Sequence, residues 1–267
     1  MSSPNFILID GSYYVFYRFF AVKQWFKLSH PEEKTETDAL HQDFIDKFKT
    51  TFPQKMQEIS KKLKIDNPIT LVAKDCPRKN IWRMKLLSAY KENRVYDDTF
   101  LGGKFFKMVY HEDMFQAAGA KQVLSCENLE ADDCLALTTK HIQKKYPDAK
   151  IWIITSDMDY LQLANENVKL FNLKFKDLTD SKNSFKDAKK DLFCKIVTGD
   201  KSDCILSPFK KCGIKTAEKL YNDPELFKAK LDKEQAHEHF ALNRKLIDFN
   251  EIPDELVTKF RNKYGFN

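Results

Sequence analysis

Glycine and proline are scarce in this sequence, with 7 and 9 of them among 267 residues. This composition excludes collagen-like and low-complexity chains and argues against disorder. Apolar runs are short, and none approaches the roughly 20 residues that a membrane-spanning helix needs. No basic segment precedes the short apolar run in MSSPNFILIDGS, so we expect no signal peptide. Hydrophobic residues, at 42 %, still suffice for one large domain or for a core domain with a smaller appendage.

Cysteine motifs for metal binding are also missing. No two of the six cysteines form a CxxC pair, and no cysteine–histidine group has the spacing of a zinc finger. We therefore expect reduced thiols in an intracellular, cytoplasmic protein.

The charge balance is basic, with a net charge of +6 and an isoelectric point near 8.8. Acidic residues cluster at a few points, whereas lysines and arginines are spread over long segments. An acidic pocket in a basic surface is typical of a metal-dependent enzyme that acts on nucleic acid. Composition alone favours an ordinary lysine-rich soluble protein, so the positions of the acids must decide.

Short β-branched and aromatic runs predict strands of a parallel sheet that is covered on both faces. These runs are residues 6–10, 69–75, 121–125, 150–157 and 168–173. Helical patterns lie between them at 37–64, 104–118 and 129–145. Pro53 is expected to interrupt or kink the first helix. The alternation predicts an α/β fold with a mostly parallel central sheet flanked by helices.

The character of the sequence changes near residue 180, where a polar, lysine-rich stretch begins. Beyond it we predict helices and loops without strands. We therefore divide the chain into an α/β core, 1–180, and a helical C-terminal region, 181–267.

Carboxylates concentrate where the predicted strands end. Asp10 ends the first strand and Asp75 the second, while Asp157 and Asp159 directly follow the fourth. The stretch NLEADDCLAL, a few residues beyond the third strand, adds Glu130, Asp132 and Asp133 at a helix start. Ligands of an open parallel sheet bind outside the carboxyl ends of its strands, so we expect all seven carboxylates to share one site.

Seven carboxylates in a small volume need compensating charge, because they raise one another's pKa values. Oxygen ligands suit hard cations, so we expect two Mg²⁺ or Mn²⁺ ions. Each acid alone has an ordinary interpretation as a helix cap or a strand-end turn. Glu130, Asp132 and Asp133 do not share one face of an ideal helix. We therefore expect Glu130 to precede the first turn, or one acid, most readily Asp133, to act from outside the metal shell.

Three further segments supply positive charge, flexibility or additional acids. CPRKNIWRMKLLSAYKENR places cations among aromatic residues, a pattern that can bind phosphates and stack on bases, with a solvated helix face as the alternative. LGGKFFK is either a flap over the site or a turn between packed helices. VTGDKSD contributes Asp200 and Asp203, and CGIKTA places Gly213 and Lys215 at a helix start whose free N–H groups favour phosphate.

Five motifs in this order resemble the flap endonuclease and 5′-to-3′ exonuclease family, which has a PIN-like (resolvase-like) α/β core. They are LIDGSYYVFYR, LVAKD with AYKENR, LEADD, ITSDMDYLQL, and TGDKSD with CGIKTA. The tail IDFNEIPDEL is similar to the phage-type replicative ribonuclease H, a branch of that family, which implies a viral or phage origin. Three features depart from the family pattern: Cys204 replaces Asn, SPFKK replaces GVPG, and CGIK replaces IGPK.

The resemblance implies roles for the matching residues. The first metal ion would be held by Asp10, Asp75, Glu130 and Asp132. The second would be held by Asp132, Asp157, Asp159 and Asp200, with Asp133 and Asp203 supporting it. Lys91 and Arg94 would hold and polarise the scissile phosphate. Contacts to DNA are expected from Arg18, Arg83, Tyr90, Gly213, Lys215 and Thr216. An arch over a 5′ single strand is expected at about 83–116, and a K⁺-binding, helix-turn-helix or helix-hairpin-helix-like grip on duplex DNA in the C-terminal region.

We therefore expect a structure-specific 5′ nuclease that hydrolyses phosphodiester bonds by a two-metal mechanism and removes RNA primers or 5′ flaps in DNA replication. Its expected substrates are DNA with a 5′ flap or single-stranded 5′ end and RNA–DNA hybrids. A monomer without membrane contact, partnered by a clamp or single-strand-binding protein, is expected in the cytoplasm. Two alternatives stay open: a PIN-type endoribonuclease acting on structured RNA, and a non-catalytic junction-binding protein.

Overall fold

The computed structural model describes residues 3–32, 38–94 and 100–266. Within them, five parallel strands form one sheet in the order β3-β2-β1-β4-β5. The strands are β1 (Asn5–Asp10), β2 (Ile69–Ala73), β3 (Gln122–Leu124), β4 (Lys150–Ile154) and β5 (Val168–Phe171). All five predicted strands are present, and the predicted α/β fold with a parallel central sheet is confirmed.

Helices flank this sheet and make up the C-terminal region. Those of the described residues are α1 (Gly11–Ser29), α2 (Gln42–Leu63), α3 (Gly102–His111), α4 (Met114–Ala117), α5 (Ala131–Lys145), α6 (Ala188–Thr198), α7 (Ile214–Asn222), α8 (Pro224–Glu234), α9 (His237–Ile247) and α10 (Asp254–Tyr264). None of them combines the length and apolar character that crossing a bilayer requires.

Both faces of the sheet are buried, which explains why the strands lack alternation of polar and apolar residues. On one face, Ile7 and Ile9 of β1 pack in a core built with α1, α2, α3 and α4. On the other, Phe6 and Leu8 pack with α5 and α10. The last helix of the chain therefore returns to the sheet, while the domain boundary near residue 180 stays a prediction.

Helix α1, which follows β1 without a loop, was not predicted. The Asp10 carboxylate caps it by accepting a hydrogen bond from the Tyr13 backbone N–H at 3.0 Å. A Cβ at Gly11 would lie 2.5 Å from the Ala73 carbonyl oxygen, so only glycine permits this tight exit beside β2. The aromatic residues of α1 lie on several of its sides, and one of them, Phe20, is 52 % exposed. The helix therefore shows no one-sided hydrophobic periodicity in the sequence.

Of the two predicted effects of Pro53, interruption is wrong, because α2 continues through it from Gln42 to Leu63, while a kink stays a prediction. Phe44, Phe48 and Phe52 recur every fourth residue and are fully buried. Burial of this stripe stabilises the helix more than the one backbone hydrogen bond that proline removes. The predicted start near residue 37 lies outside the described residues.

The segment LGGKFFK forms part of a packed helix. Phe105 of α3 is buried and its ring lies 5.2 Å from that of Phe19 on α1 and 4.8 Å from that of Phe48 on α2. The predicted helix 104–118 is divided by Asp113, whose φ is +47°. Of the predicted arch, residues 95–99 lie outside the described parts of the chain.

Candidate metal centre

The strand order places a crevice at one defined position. β1 lies between β2 and β4, and the chain builds outward from it first on one side and then on the other. In such sheets ligands bind outside the carboxyl ends of the strands at this switch point. Asp10 is the last residue of β1, and Asp157 follows the end of β4. The two acids therefore flank the crevice.

Asp75 joins three elements of the site. Its Oδ2 atom accepts a hydrogen bond from Ser12 Oγ of α1 at 2.5 Å, and its Oδ1 atom accepts one from the Ala131 N–H of α5 at 2.8 Å. This arrangement orients the carboxylate beside Asp10. Sequence reasoning did not identify Ser12, although a hydroxyl residue directly after Asp-Gly at the end of β1 was a usable signal.

The acids at the start of α5 both cap this helix and lie at the site. The helix begins at Ala131, so Glu130 precedes the first regular turn, one of the two arrangements that helix geometry allowed. Asp133 Oδ2 accepts a hydrogen bond from the Glu130 N–H at 3.1 Å, which is a capping contact. Asp132 is half-buried beside them. For Asp133, the capping interpretation therefore holds.

Arg83 is buried, which corrects its predicted contact with DNA. Its side chain is 2 % exposed, and its guanidinium donates to both oxygens of Asp133, at 2.7 and 2.9 Å, and to Glu130 Oε2 at 2.9 Å. A fourth donor bonds the Leu246 carbonyl oxygen at 2.7 Å. With four of its five N–H donors bonded to these groups and only 2 % of its side chain exposed, Arg83 neutralises acids and cannot reach a nucleic acid in this structure.

Tyr90 is likewise buried, which corrects the prediction that it stacks on DNA bases. Its hydroxyl lies 3.0 Å from Glu130 Oε2 and 3.2 Å from Asp203 Oδ2, so it donates to one of these carboxylates. A ring that is 2 % exposed offers no face to a base. Tyr90 therefore holds acids in place. In this segment of cations and aromatic residues, some side chains are buried against acids and others are exposed.

Lys91 and Arg94 lie at the mouth of the acidic cluster. The Lys91 ammonium pairs with Glu130 and lies 3.6 Å from Asp203 Oδ2, while Arg94 Nη2 lies 2.7 Å from Asp203 Oδ1. Arg78 donates to the backbone carbonyl oxygens of both residues at 2.6 Å, which fixes the turn that presents them. Both cations therefore pair with acids of this cluster, Arg94 from a more exposed position than Lys91, and their contact with a phosphate stays a prediction.

Lys195 of α6 is a site residue that sequence reasoning missed. Its ammonium pairs with Asp159 and with Asp200, the latter at 2.9 Å. The loop after α6 brings Asp200 here through a turn at Gly199, where φ is +74° and a Cβ would lie 2.4 Å from the Ile205 carbonyl oxygen. A lysine in a lysine-rich helix resembles ordinary surface, so the sequence carried no usable signal for it.

The acids divide into two electrostatic groups. Burial, reinforced by Asp75 and Asp157, raises the pKa of Asp10 to about 7. Burial with Asp133 and Glu130 nearby also holds the pKa of Asp132 well above its usual range.

In contrast, protein cations dominate at two other acids. Burial acts to raise the pKa of Glu130, but Lys91 and Arg83 outweigh it, and the pKa is lowered. The pKa of Asp200 is also lowered, because Lys195 together with hydrogen bonds from Ser202 outweighs its burial. Among the described residues, Asp10 and Asp132 therefore form no ion pair like those of Glu130 and Asp200, and the more distant Lys91 and Arg83 do not offset their burial.

The residues present fit hard divalent cations. Every converging ligand atom is a carboxylate oxygen, the donor type that Mg²⁺ and Mn²⁺ prefer. Tyr160 adds a second indication: its hydroxyl is fully buried, has no hydrogen-bond partner in the described parts of the chain, and lies within electrostatic reach of Asp10, Asp132 and Asp157. Such a group suits the hydration shell of an ion at these acids.

The remaining predicted DNA-binding residues lie elsewhere. Arg18 is buried on α1, and its guanidinium donates to Thr51 Oγ1 of α2 at 3.0 Å. Gly213 caps the start of α7, where Lys215 is exposed and Thr216 is half-buried. Their contact with duplex DNA stays a prediction.

These features define a metal-dependent phosphodiesterase architecture on a resolvase-like sheet, and comparison with known proteins agrees. The model of the 5′-3′ exonuclease family, N-terminal resolvase-like domain, matches residues 5–191. The chain belongs to this 5′-3′ exonuclease family.

Individual relatives are also similar. The ribonuclease H of Enterobacteria phage T4 is 29 % identical over 213 residues, covering 72 % of this chain and 68 % of that protein. A phage T5 protein co-crystallised with metal ions has a TM-score of 0.67, and the phage T5 flap endonuclease in complex with DNA and metal ions has one of 0.66. Each is 18 % identical, with 97 % of both chains covered.

The raised pKa of Asp10 predicts how the stability of the metal-free protein depends on pH. The folded state holds the Asp10 proton up to about pH 7, whereas the unfolded chain releases it near pH 3.8, so folding stability falls as the pH rises between these values. Asp10→Asn, which retains the cap, should therefore raise the free energy of unfolding in EDTA at pH 8 by on the order of 1–3 kcal/mol.

Urea unfolding at several pH values measures this effect. The advantage of the variant should grow from pH 4 to 7 and then level off, while the exposed control Asp66→Asn should show no such trend. A constant difference between Asp10→Asn and wild type across that range would contradict the prediction.

The buried Arg83 predicts a large effect on stability. Arg83→Met leaves Asp133 and Glu130 buried without their main partner, so we expect a loss of about 3–5 kcal/mol in the free energy of unfolding. Arg94→Met is the matched control: its side chain is 55 % exposed and pairs with Asp203, so about 1 kcal/mol or less is expected. Similar losses in the two variants would refute the assigned role of Arg83.

Proposed function

We propose that this protein is a structure-specific 5′ nuclease that hydrolyses phosphodiester bonds with two divalent metal ions. The observation that supports this most is the convergence of carboxylates from several strand ends on one crevice whose mouth carries Lys91 and Arg94. Membership of the 5′-3′ exonuclease family agrees with this activity. A plain nucleic-acid-binding protein would have no need for half-buried acids, such as Asp10 and Asp132, that form no ion pair with the described residues.

Two Mg²⁺ or Mn²⁺ ions are the proposed cofactors. The residues that would hold the first are Asp10, Asp75, Glu130 and Asp132. The residues that would hold the second are Asp132, Asp157, Asp159 and Asp200, with Asp203 supporting from outside. When bound, the ions would supply the Lewis acidity that activates water and neutralises charge at the phosphate. Asp133 is committed to Arg83 and Trp82 and would act only by holding the start of α5 in position.

The chain's own cations would position and polarise the phosphate. Lys91 is held near the crevice by Glu130 and Asp203, within reach of a phosphate oxygen once these acids have other counter-charges. Arg94, more exposed, would donate to a second oxygen and fix the orientation of the group. Donors aimed at developing negative charge lower the barrier because they need no reorganisation. Arg83 and Tyr90 contribute indirectly by keeping Glu130 and Asp203 in place.

The proposed substrates are DNA with a 5′ flap or single-stranded 5′ end and RNA–DNA hybrids. The T4 relative is named a ribonuclease H, and the T5 relative is a flap endonuclease crystallised with DNA, which supports this range. The start of α7, with Gly213, Lys215 and Thr216, would bind the duplex backbone, and a K⁺ ion is proposed there. A replication partner, a monomeric state and a cytoplasmic location stay predictions.

Cleavage of a 5′-labelled flap duplex in Mg²⁺ tests the activity, and Asp157→Asn tests the centre. Asp157 is exposed and caps a short helical turn that asparagine also caps, so the variant should fold and bind DNA but lose cleavage by at least about 100-fold. Asp148→Asn, the same change in an exposed loop before β4, should keep full activity. Near-normal cleavage by Asp157→Asn would refute its metal role.

The wild-type protein should be compared on flap DNA, an RNA–DNA hybrid and single-stranded RNA. We expect cleavage of the first two. Cleavage of single-stranded RNA alone would indicate an endoribonuclease. Binding without cleavage in either Mg²⁺ or Mn²⁺ would indicate a non-catalytic junction-binding protein.

The exposed position of Lys215 at the start of α7 leads to a prediction about duplex binding. Lys215→Ala removes one positive charge and should weaken binding and reduce the slope of log K against log salt by about 0.9, the value for one phosphate contact. Lys219→Ala removes the same charge from the last turn of the same helix and should leave the slope unchanged. A slope for Lys215→Ala equal to that of wild type would mean that this helix start does not contact DNA.

A further inference from the structure

Lys195 bridges two acids that reach the site from different parts of the chain. Asp159 lies in the turn after β4, and Asp200 lies in the loop after α6. The lysine side chain is 22 % exposed and the two carboxylates 15 % each, so water screens these contacts only partly. One ammonium group therefore offsets part of the negative charge in the half of the site proposed for the second metal ion.

The same oxygens cannot serve the ammonium and a divalent cation together. Oxygens of Asp159, Asp200 and Asp203 lie within 4.8 Å of one another, which is close enough to hold one ion. An ion at that position would lie within a few ångströms of the Lys195 ammonium, and positive charges so close repel strongly in a partly buried site. Binding there requires the ammonium to move away.

The structure provides a place for the displaced side chain. A cleft of about 230 Å³ opens beside Asp159 and Asp200, and it is lined by Lys195 itself, Thr198 and Asp191. Asp191 lies four residues before Lys195, which places both on one face of α6. The flexible four-carbon stem of lysine allows the ammonium to swing across this cleft without movement of the helix.

We propose that Lys195 is a built-in counter-cation that competes with the second divalent ion, and that its displacement sets the affinity of that half of the site. This inference rests on the proposed function. It makes the two halves unequal. In the first half, among the described residues, only Glu130 forms ion pairs, with Lys91 and Arg83, whereas in the second half Lys195 pairs with both Asp159 and Asp200. The protein therefore binds its first ion tightly and its second weakly, and Lys195 partly compensates Asp159 and Asp200 when the second ion is absent.

Mn²⁺ binding to the protein without nucleic acid tests this directly. Free Mn²⁺ is measured by electron paramagnetic resonance during titration of wild type and Lys195→Met, which keeps the length of the side chain and removes its charge. Wild type should show a tight and a weak site. In the variant, the dissociation constant of the weak site should fall by about tenfold, which corresponds to about 1.4 kcal/mol of binding free energy no longer lost to competition with the ammonium. The dissociation constant of the tight site should stay unchanged.

Three further variants make the result specific. Lys190→Met removes a positive charge from the same helix, but Lys190 pairs with Glu218 instead of the site, so both constants should change less than twofold. Lys195→Arg keeps the charge and should keep the weak site weak. Asp200→Asn should abolish the weak site, which assigns it to this half of the centre.

Two outcomes would overturn the inference. An unchanged weak constant in Lys195→Met would mean that the ammonium does not compete, and a weaker one would mean that it supports the site structurally. Wild type that binds no Mn²⁺ at all would overturn the proposed two-metal function itself. Two Mn²⁺ sites in wild type without a shift in the variant would leave that function intact and reject only the role of Lys195.

Discussion

Repulsion among carboxylates at one edge of the sheet is the constraint on which the rest of this structure depends. Parallel strands end side by side, so acids placed at their ends are brought close together. Uncompensated, these charges would destabilise the fold. Cations from three parts of the chain compensate these acids. Arg83 pairs with Asp133, Lys91, eight residues further along the chain, pairs with Glu130, and Lys195 on α6 pairs with Asp200. Their positions determine where positive charge is still missing.

The compensation is uneven, and this unevenness gives the site its chemistry. Asp133 and Glu130 accept hydrogen bonds from the buried Arg83, and these bonds hold the start of α5 in position. Asp10 and Asp132, in contrast, have raised pKa values because burial and neighbouring acids meet no adequate counter-charge. A divalent cation removes this deficit. Binding of metal ions therefore relieves the electrostatic repulsion that the folded, metal-free protein carries at these acids.

Much of this arrangement was predictable because it follows from local patterns. Continuous apolar runs indicated each strand, and the acids directly after them indicated the edge at which a site forms. The failures have physical causes. Helix α1 carries aromatic residues on several sides and shows no periodicity, and Pro53 is tolerated because a stripe of buried phenylalanines stabilises α2. Ser12 and Lys195 resemble ordinary residues until the fold places them against acids.

The sequence by itself determined the parallel sheet, the acids at its edge, and the family to which the chain belongs. Only the tertiary structure decided which cation meets which acid. Arg83 was expected at the DNA surface, yet it bonds Asp133, 50 residues away, and the carbonyl oxygen of Leu246, 163 residues away. The physical reason is that lysine and arginine side chains are long and flexible. Their partners depend on how helices pack over the sheet, and no local pattern encodes that packing.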